Sequence, residues 1–342
     1  MAGQDAFAPL LRLVLSGAQL TEAQAQAAFD AIMAGTVGEV EIAAFLTALK
    51  IRGESVAEIA GAARAMRAHV RAVAAPAGAI DTCGTGGDGA NTRNISTAAA
   101  IIVAACGVPV AKHGNKAVSS RSGSADVLAA LGVTLDISDA LIARCFAAAG
   151  IAFLLAPRHH AAMRHVAPVR ARLGVRTIFN LLGPLANPAG ARRQLIGVFD
   201  AAWLEPMAQV AGRLGAERVW VVHGADGLDE LTTTGRSDIA EWHQGRLRRF
   251  TLTPEEAGLA RAAPADLAGG SAAENAAALT ALLAGARDAY RDIVVLNAAA
   301  ALVVADAAAD IAAGARKAEA AIDSGSAAAV LARWIAASGG TA

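Results

Sequence analysis

Ile80-Asp81-Thr82-Cys83-Gly84-Thr85-Gly86-Gly87-Asp88-Gly89-Ala90-Asn91-Thr92-Arg93-Asn94-Ile95-Ser96-Thr97 marks a change in the kind of structure the chain builds. Ile80 to Thr82 reads as a short strand, the glycines as a turn, and the alanine-rich run from Thr97 to Cys106 as a helix. Gly84, Gly86 and Gly89 satisfy G-x-G-x-x-G, yet the dinucleotide reading fails. The helix opens past the glycines, near Asn94 to Thr97. The next strand ends at a base, Lys112, where an acid would hold a ribose. No G-x-x-x-x-G-K-[ST] occurs either. What is left is general anion chemistry. Glycine lets backbone N–H groups approach a phosphate, and Asn94, Ser96 and Thr97 cluster where a helix N-terminus presents free N–H groups. An ordinary capped turn would have the same composition.

On the N-terminal side, residues 1–73 read as all helix. Leu10, Leu11, Leu13, Val14 and Leu15 form an apolar segment that stops near Ser16-Gly17. Thr21 with Gln24, and Ser55 with Glu58, have capping-box spacing. They open helices running to Met33 and to about Val73, with Val40 to Ile51 between them. Residues 74–78 form a Pro/Gly linker. On the other side, strand-like runs (Val108–Ala111, Val133–Ile137, Ile151–Leu155, Leu195–Val198, Val219–His223, Arg246–Leu252) alternate with helical stretches at Ala125–Leu131, Ala140–Ala149 and Leu204–Leu214. A helical tail begins at Ala272. That alternation predicts a mainly parallel sheet flanked by helices. The expected division is a small helical domain, 1–73, joined by part of 168–190, and a larger α/β domain, 79–342. Ligands bind such sheets beyond the carboxyl ends of the strands.

Composition narrows the classes. Of 342 residues, 55% are hydrophobic and 18% charged, which fits a folded chain and not a disordered one. Zero net charge argues against a general nucleic-acid binder. Cys83, Cys106 and Cys145 form neither a disulfide framework nor a zinc spacing, so a reducing cytosol is expected. Met1 to Phe7 lacks the basic start of a signal peptide. The mean hydropathy of +0.43 comes from alanine. The uncharged run Ile95 to Ala111 is broken by Ser96, Thr97, Gly107 and Pro109, so no membrane span is predicted.

Three further segments carry chemistry. Lys112-His113-Gly114-Asn115-Lys116-Ala117-Val118-Ser119-Ser120-Arg121-Ser122-Gly123-Ser124 follows the second strand and is expected to be a polar loop. Together with the first loop it suits a ligand bearing several phosphates. Asp226-Gly227-Leu228-Asp229-Glu230 places adjacent carboxylates after a strand, as Mg²⁺ takes them beside phosphate oxygens, though a surface acidic turn reads the same way. His159-His160-Ala161-Ala162-Met163-Arg164-His165 lacks zinc spacing. Its neighbourhood better supplies an arginine for a planar carboxylate. On chemistry alone Arg164, Arg170, Arg172 and Arg176 compete for that role.

The ordered set GTGGD (Gly84–Asp88), NIST (Asn94–Thr97), KHGN (Lys112–Asn115), SGSAD (Ser122–Asp126), RTIFNLLGPL (Arg176–Leu185) and DE (Asp229-Glu230) resembles the anthranilate phosphoribosyltransferase family of tryptophan biosynthesis. The resemblance extends over nearly the whole chain. It implies transfer of the phosphoribosyl group of 5-phosphoribosyl 1-diphosphate to the amine of anthranilate, on a fold shared with pyrimidine nucleoside phosphorylases. By motif, Gly84, Gly87 and Asp88 would border the sugar diphosphate, and Thr92, Asn94, Ile95, Ser96 and Thr97 would hold its phosphates. Lys112, His113, Gly114, Asn115, Lys116, Ala117, Val118, Ser119, Ser120 and Ser124 would close over it. Ser96, Asp229 and Glu230 would bind magnesium, as two Mg²⁺ ions. Gly84, Asn115 and Arg170 would contact anthranilate, with Arg170 facing its carboxylate and His113 and His160 lining the aromatic entrance. Anthranilate's amine is neutral at pH 7, so no acid or base is assigned. The resemblance also implies a homodimer joined through the helical domain, while the cysteines, the zero net charge and the broken apolar run point to a cytoplasmic protein with neither nucleic acid nor membrane as partner. A pyrimidine nucleoside phosphorylase, which binds a single phosphate, is the alternative enzyme. A nucleic-acid-binding relative of the fold without activity, or a structural dimer, are the alternatives outside catalysis.

Overall fold

Thr21 and Ser55 each accept the backbone N–H three residues on, while Gln24 and Glu58 reach back to the caps. These two capping boxes start the second and fourth helices where the sequence predicts. The computed structural model describes residues 2–116 and 122–340, so the predicted site residues Ala117, Val118, Ser119 and Ser120 lie outside the described residues. Four helices come first: α1 (Ala2–Leu15), α2 (Glu22–Met33), α3 (Glu39–Arg52) and α4 (Val56–Ala68). Glu58 is fully buried, and both its oxygens pair with Arg52. Helix α4 stops at Ala68 and does not reach Val73. The segment beyond it bonds elsewhere, Arg71 N–H to His159 O and Val73 N–H to Pro188 O.

The α/β part follows as β1 (Ile80–Gly84), α5 (Ile95–Ala105), β2 (Val110–Gly114), α6 (Ser124–Ala130), α7 (Asp139–Ala149) and β3 (Ile151–Leu155). Helices α8 (Ala156–His159), α9 (Ala167–Leu173) and α10 (Phe179–Leu185) then lead to β4 (Arg193–Gly197), α11 (Leu204–Arg213), β5 (Arg218–Gly224), β6 (Ser237–His243) and β7 (Arg246–Leu252). The tail is α12 (Ala272–Leu283), α13 (Ala289–Val304), α14 (Ile311–Asp323) and α15 (Ser326–Ser338). The sheet order is β3-β2-β1-β4-β5-β6-β7. The first five in that order are parallel, and β6 and β7 add an antiparallel hairpin.

Three further expectations change. Val133–Ile137 is not a strand. Val133 and Ile137 are buried, but Thr134 N–H donates to Ser338 Oγ, so their apolar character reflects packing under the C-terminal helix. Strand β6 was not expected. Its alternation is obscured by Glu241, which lies nearly buried between Arg218 and Arg248. Gln244 and Gly245, both at positive φ, close the hairpin. Lys112 and His113 lie within β2 and not in a loop.

Alternation along β4 and β5 sorts the two cores. Leu195, Trp220 and Val222 face α5 and α12–α15, whereas Ile196, Val198, Val219 and Val221 face α11, α10 and the N-terminal helices. Helix α13 is buried nearly all round, as expected of a helix apolar on every face.

Candidate active site

The chain steps outward from β1 to β3 and returns beside β1 as β4, so the topological switch falls between β1 and β4. Ligands of open α/β sheets bind in that crevice. The two strands end level, Gly84 opposite Gly197. What covers them constrains both glycines, the second through backbone and the first through a side chain. A Cβ at Gly197 would run into the backbone carbonyl of Asp229, and one at Gly84 into its carboxylate. The acidic turn therefore lies directly on the switch point.

Hydrogen bonds fix it there. Gly86 N–H donates to Asp229 Oδ2 at 2.7 Å, Asp229 N–H to Asp88 Oδ2 at 3.5 Å, and Ser96 N–H to Glu230 Oε1 at 3.1 Å. From below, Asn297 of α13 takes both backbone groups of Leu231: it accepts Leu231 N–H at 3.0 Å and donates to Leu231 O at 2.8 Å. Burial and the carboxylate of Asp88 push Asp229 up to about 7, and burial and Asp229 push Glu230 up to about 8. Two half-buried, mutually repelling oxygen donors beside a Gly-rich turn fit a hard divalent cation. Among the described residues no three His, Cys, Asp or Glu side chains converge on one point.

Gly86, Gly87 and Gly89 all have positive φ and open space at the Cβ position, so the turn presents bare backbone. Asn94 caps α5. Thr92 and Ser96 are half-buried, while the Ile95 and Thr97 side chains are buried, Ile95 within the main core. Lys112 is only 2% exposed. Its Nζ donates to Thr82 O at 2.6 Å and reaches Ser96 Oγ at 3.4 Å. Burial lowers its pKa, opposed by Asp81, Cys83 and Glu230. A loop lysine by sequence is thus a strand lysine aimed under the glycine turn.

His113 Nδ1 lies 3.2 Å from Gly183 O, and its Nε2 lies 3.2 Å from His160 Nε2. Burial pushes His113 down to about 3 and His160 down to about 4, so both rings are neutral at pH 7 and one facing nitrogen donates to the other. Asn115 and Lys116 are exposed beyond β2. Asn115 O accepts Ser124 Oγ at 3.3 Å across the loop, and Gly114 packs against Ser124 and Phe153. Arg170 is half-buried on α9, its guanidinium 5.6 Å from the Phe179 ring centre, with no acidic partner among the described residues. Its competitors are exposed and two are engaged: Arg172 pairs with Glu39, and Arg176 stacks on Phe199. The structure brings the glycine turn, the acidic turn and Lys112 together, and the two histidines together. It records no hydrogen bond from Arg170 to either group.

Four residues were not singled out from the sequence. Asp81 and Asn187 lie buried between β1 and β2, Asn297 holds the acidic turn, and Asn275 donates to Asn94 Oδ1 at 2.9 Å. A polar residue in an apolar run, such as Asn297 between Leu296 and Ala298, was the available signal.

Two family models match: the glycosyl transferase family a/b domain over residues 77–328 and its helical bundle domain over residues 8–70. Anthranilate phosphoribosyltransferase of Rhodospirillum rubrum is 62% identical over 327 residues, covering 96% of this chain and 94% of that protein. The Methylocella silvestris protein of the same name is 58% identical, covering 98% and 96%. Among solved structures, anthranilate phosphoribosyltransferase from Thermus thermophilus superposes with a TM-score of 0.91 at 46% identity, covering 96% of this chain and 99% of that one. The Saccharomyces cerevisiae protein, in complex with 5-phosphoribosyl 1-diphosphate and Mg, gives 0.90 at 29% identity, covering 98% of each. The chain belongs to the anthranilate phosphoribosyltransferase family.

Proposed function

We propose that this chain transfers the phosphoribosyl group of 5-phosphoribosyl 1-diphosphate to the amine of anthranilate, releasing pyrophosphate and N-(5-phosphoribosyl)anthranilate. The observation that carries it is the seating of Asp229 and Glu230 over the glycine turn at the β1–β4 switch, with Lys112 buried beneath. A nucleoside phosphorylase handles one phosphate and needs no such acidic pair.

The bond from the sugar's anomeric carbon to the diphosphate oxygen breaks as the bond to the amine nitrogen forms. Charge develops on the leaving diphosphate, and the site's task is to hold it. Beside the Gly86 and Ser96 N–H groups that hold the acid pair, the glycine turn at Gly87 and Gly89, the N-terminus of α5 at Asn94, Ser96 and Thr97, and the Lys112 ammonium bring donors or positive charge to that region. Mg²⁺, as two ions on Asp229, Glu230 and Ser96, would add charge neutralisation when bound. Arg170 supplies a desolvated guanidinium for the aromatic carboxylate, Asn115 and Gly84 the contacts beside it, and the neutral His113–His160 pair an uncharged wall for the ring. The amine needs no base, and the pair's low pKa values give no reason to assign one.

The same proposal divides the chain into a helical domain at 1–73, a linker at 74–78 and an α/β domain at 79–342, with part of 168–190 packed on the helical side. The shared burial of Val169, Ile178, Leu182 and Phe29 supports that packing. It takes the protein as a cytoplasmic homodimer. Supporting the dimer, the exposed large apolar side chains among the described residues, Leu13, Leu15, Val40, Ile51 and Val175, are all in or beside the helical part. The free thiols of Cys83, Cys106 and Cys145 support the compartment. The test is anthranilate fluorescence with the sugar diphosphate, with and without Mg²⁺. Loss of fluorescence needing every component, matched by pyrophosphate release, is expected; no loss under any condition overturns the proposal.

A further inference from the structure

Asn275, near the start of α12, is 2% exposed and its amide lies in a chain of hydrogen bonds with one possible direction. The Gly270 backbone N–H can only donate, and it donates to Asn275 Oδ1 at 2.8 Å. The other end of that side chain is therefore its NH₂ group, which donates to Asn94 Oδ1 at 2.9 Å. This turns the Asn94 amide so that its own NH₂ faces the second loop, donating to Ser122 O at 3.4 Å. The source of the chain is tied to its target. Gly269 N–H donates to Asn91 O at 2.8 Å and Arg93 N–H to Leu267 O at 3.1 Å, so the segment before α12 and the glycine turn are one connected piece.

The two ends of an amide have nearly one shape and opposite polarity. Without Asn275, only the long 3.4 Å contact to Ser122 O would choose between them, and Asn94 could offer a carbonyl oxygen to an anion far more readily. We propose that Asn275 is a positioning residue that sets the polarity of the Asn94 amide, so that N–H donors and not an oxygen face the diphosphate substrate. The inference rests on the transferase reading given above.

The test uses the full chain. Binding of 5-phosphoribosyl 1-diphosphate with Mg²⁺ is measured by calorimetry, and KM for anthranilate by fluorescence. Asn275→Asp keeps an acceptor for Gly270 but sets a carboxylate oxygen against Asn94 Oδ1, which turns the Asn94 amide over. Asn275→Leu has similar bulk and leaves the orientation to the 3.4 Å contact with Ser122 O alone. Asn275→Asp should weaken sugar-diphosphate binding about tenfold or more and Asn275→Leu only about threefold, with anthranilate KM steady within about twofold. In an Asn94→Ala background both penalties should vanish, because the residue they act through is gone. Equal losses for the two variants, or penalties that persist without Asn94, would overturn the role. If Asn275→Asp lacks a cooperative melting transition, the Leu variant with and without Asn94→Ala decides alone. If the unmodified chain binds no sugar diphosphate, the transferase reading falls and takes this role with it. Binding by the unmodified chain that ignores both variants removes the role only.

Discussion

Asn187 Nδ2 donates to Asp81 Oδ2 at 2.7 Å at the point where the β1–β2 ladder ends. The two strands are in register at Ile80 and Val110. Beyond that pair, side chains take the backbone groups: His113 N–H goes to Asp81, Ala111 O to Asn187 and Thr82 O to Lys112. The carboxylate, the amide and the ammonium together fill the seam beneath the site. Full burial raises the pKa of Asp81, held in check by Lys112 and by bonds from Asn187 and His113.

Asn187→Leu removes two of these bonds and leaves Ala111 O and one Asp81 oxygen buried without the amide. A loss of about 3 kcal/mol is expected, the range for orphaning buried polar and charged groups. Denaturant unfolding measures it. A loss below about 1 kcal/mol would mean that water replaces the amide and that the seam is open.

Gly197 and Gly84 face the same residue with different consequences. A methyl at Gly197 meets the backbone of Asp229, which has nowhere to move, whereas one at Gly84 meets its carboxylate. Gly197→Ala should cost about 2 kcal/mol or more by overpacking. Gly84→Ala should change stability by less than about 1 kcal/mol but lower kcat/KM about tenfold or more, because the displaced carboxylate leaves Gly86 N–H. Unfolding and steady-state kinetics on both variants decide, and a reversed order would refute the seating of the acidic turn.

Much of this was legible because it is local. The capping boxes at Thr21 and Ser55, the glycine turn and the Asp229-Glu230 pair each state their chemistry within a few residues. What escaped is held across the chain. Lys112 looked like a loop cation because nothing nearby in sequence shows Asp81 and Glu230 waiting in the fold. Val133–Ile137 looked like a strand because burial under a distant helix selects the same β-branched residues as a ladder does. Strand β6 was hidden by Glu241, whose charge is answered by Arg218 and Arg248 on the neighbouring strands. Asn275 and Asn297 each satisfy a partner 181 or 66 positions away; the apolar run around Asn297 marks it as unusual, but no local pattern names the partner.

Arg170 has no acidic partner among the described residues and keeps its charge although burial lowers its pKa. A desolvated guanidinium pairs strongly with a carboxylate. Arg170→Ala should raise KM for anthranilate by about tenfold or more while moving KM for the sugar diphosphate by less than about threefold. Arg172→Ala, at an exposed pair with Glu39, should change neither. Equal rises in both constants for Arg170→Ala would remove it from the anthranilate site.

Magnesium dependence should shift with pH in one direction. Burial and Asp88 raise Asp229 to about 7, and burial and Asp229 raise Glu230 to about 8, so in the metal-free protein both carboxyls hold protons well above the usual carboxylate range. A cation binds the ionised form and must displace those protons. Its apparent affinity therefore rises as pH increases through that window and levels off above it. At pH 6 the Mg²⁺ concentration giving half-maximal rate should be about tenfold or more higher than at pH 8. Asp229→Asn removes one titrating group and its repulsion, so affinity should fall at every pH while the pH slope shallows. Calorimetric titration with Mg²⁺ at several pH values, with proton release followed in buffers of different ionisation enthalpy, measures both effects. A half-saturating concentration that stays flat from pH 6 to pH 8 would mean that the ion does not sit on these two carboxylates.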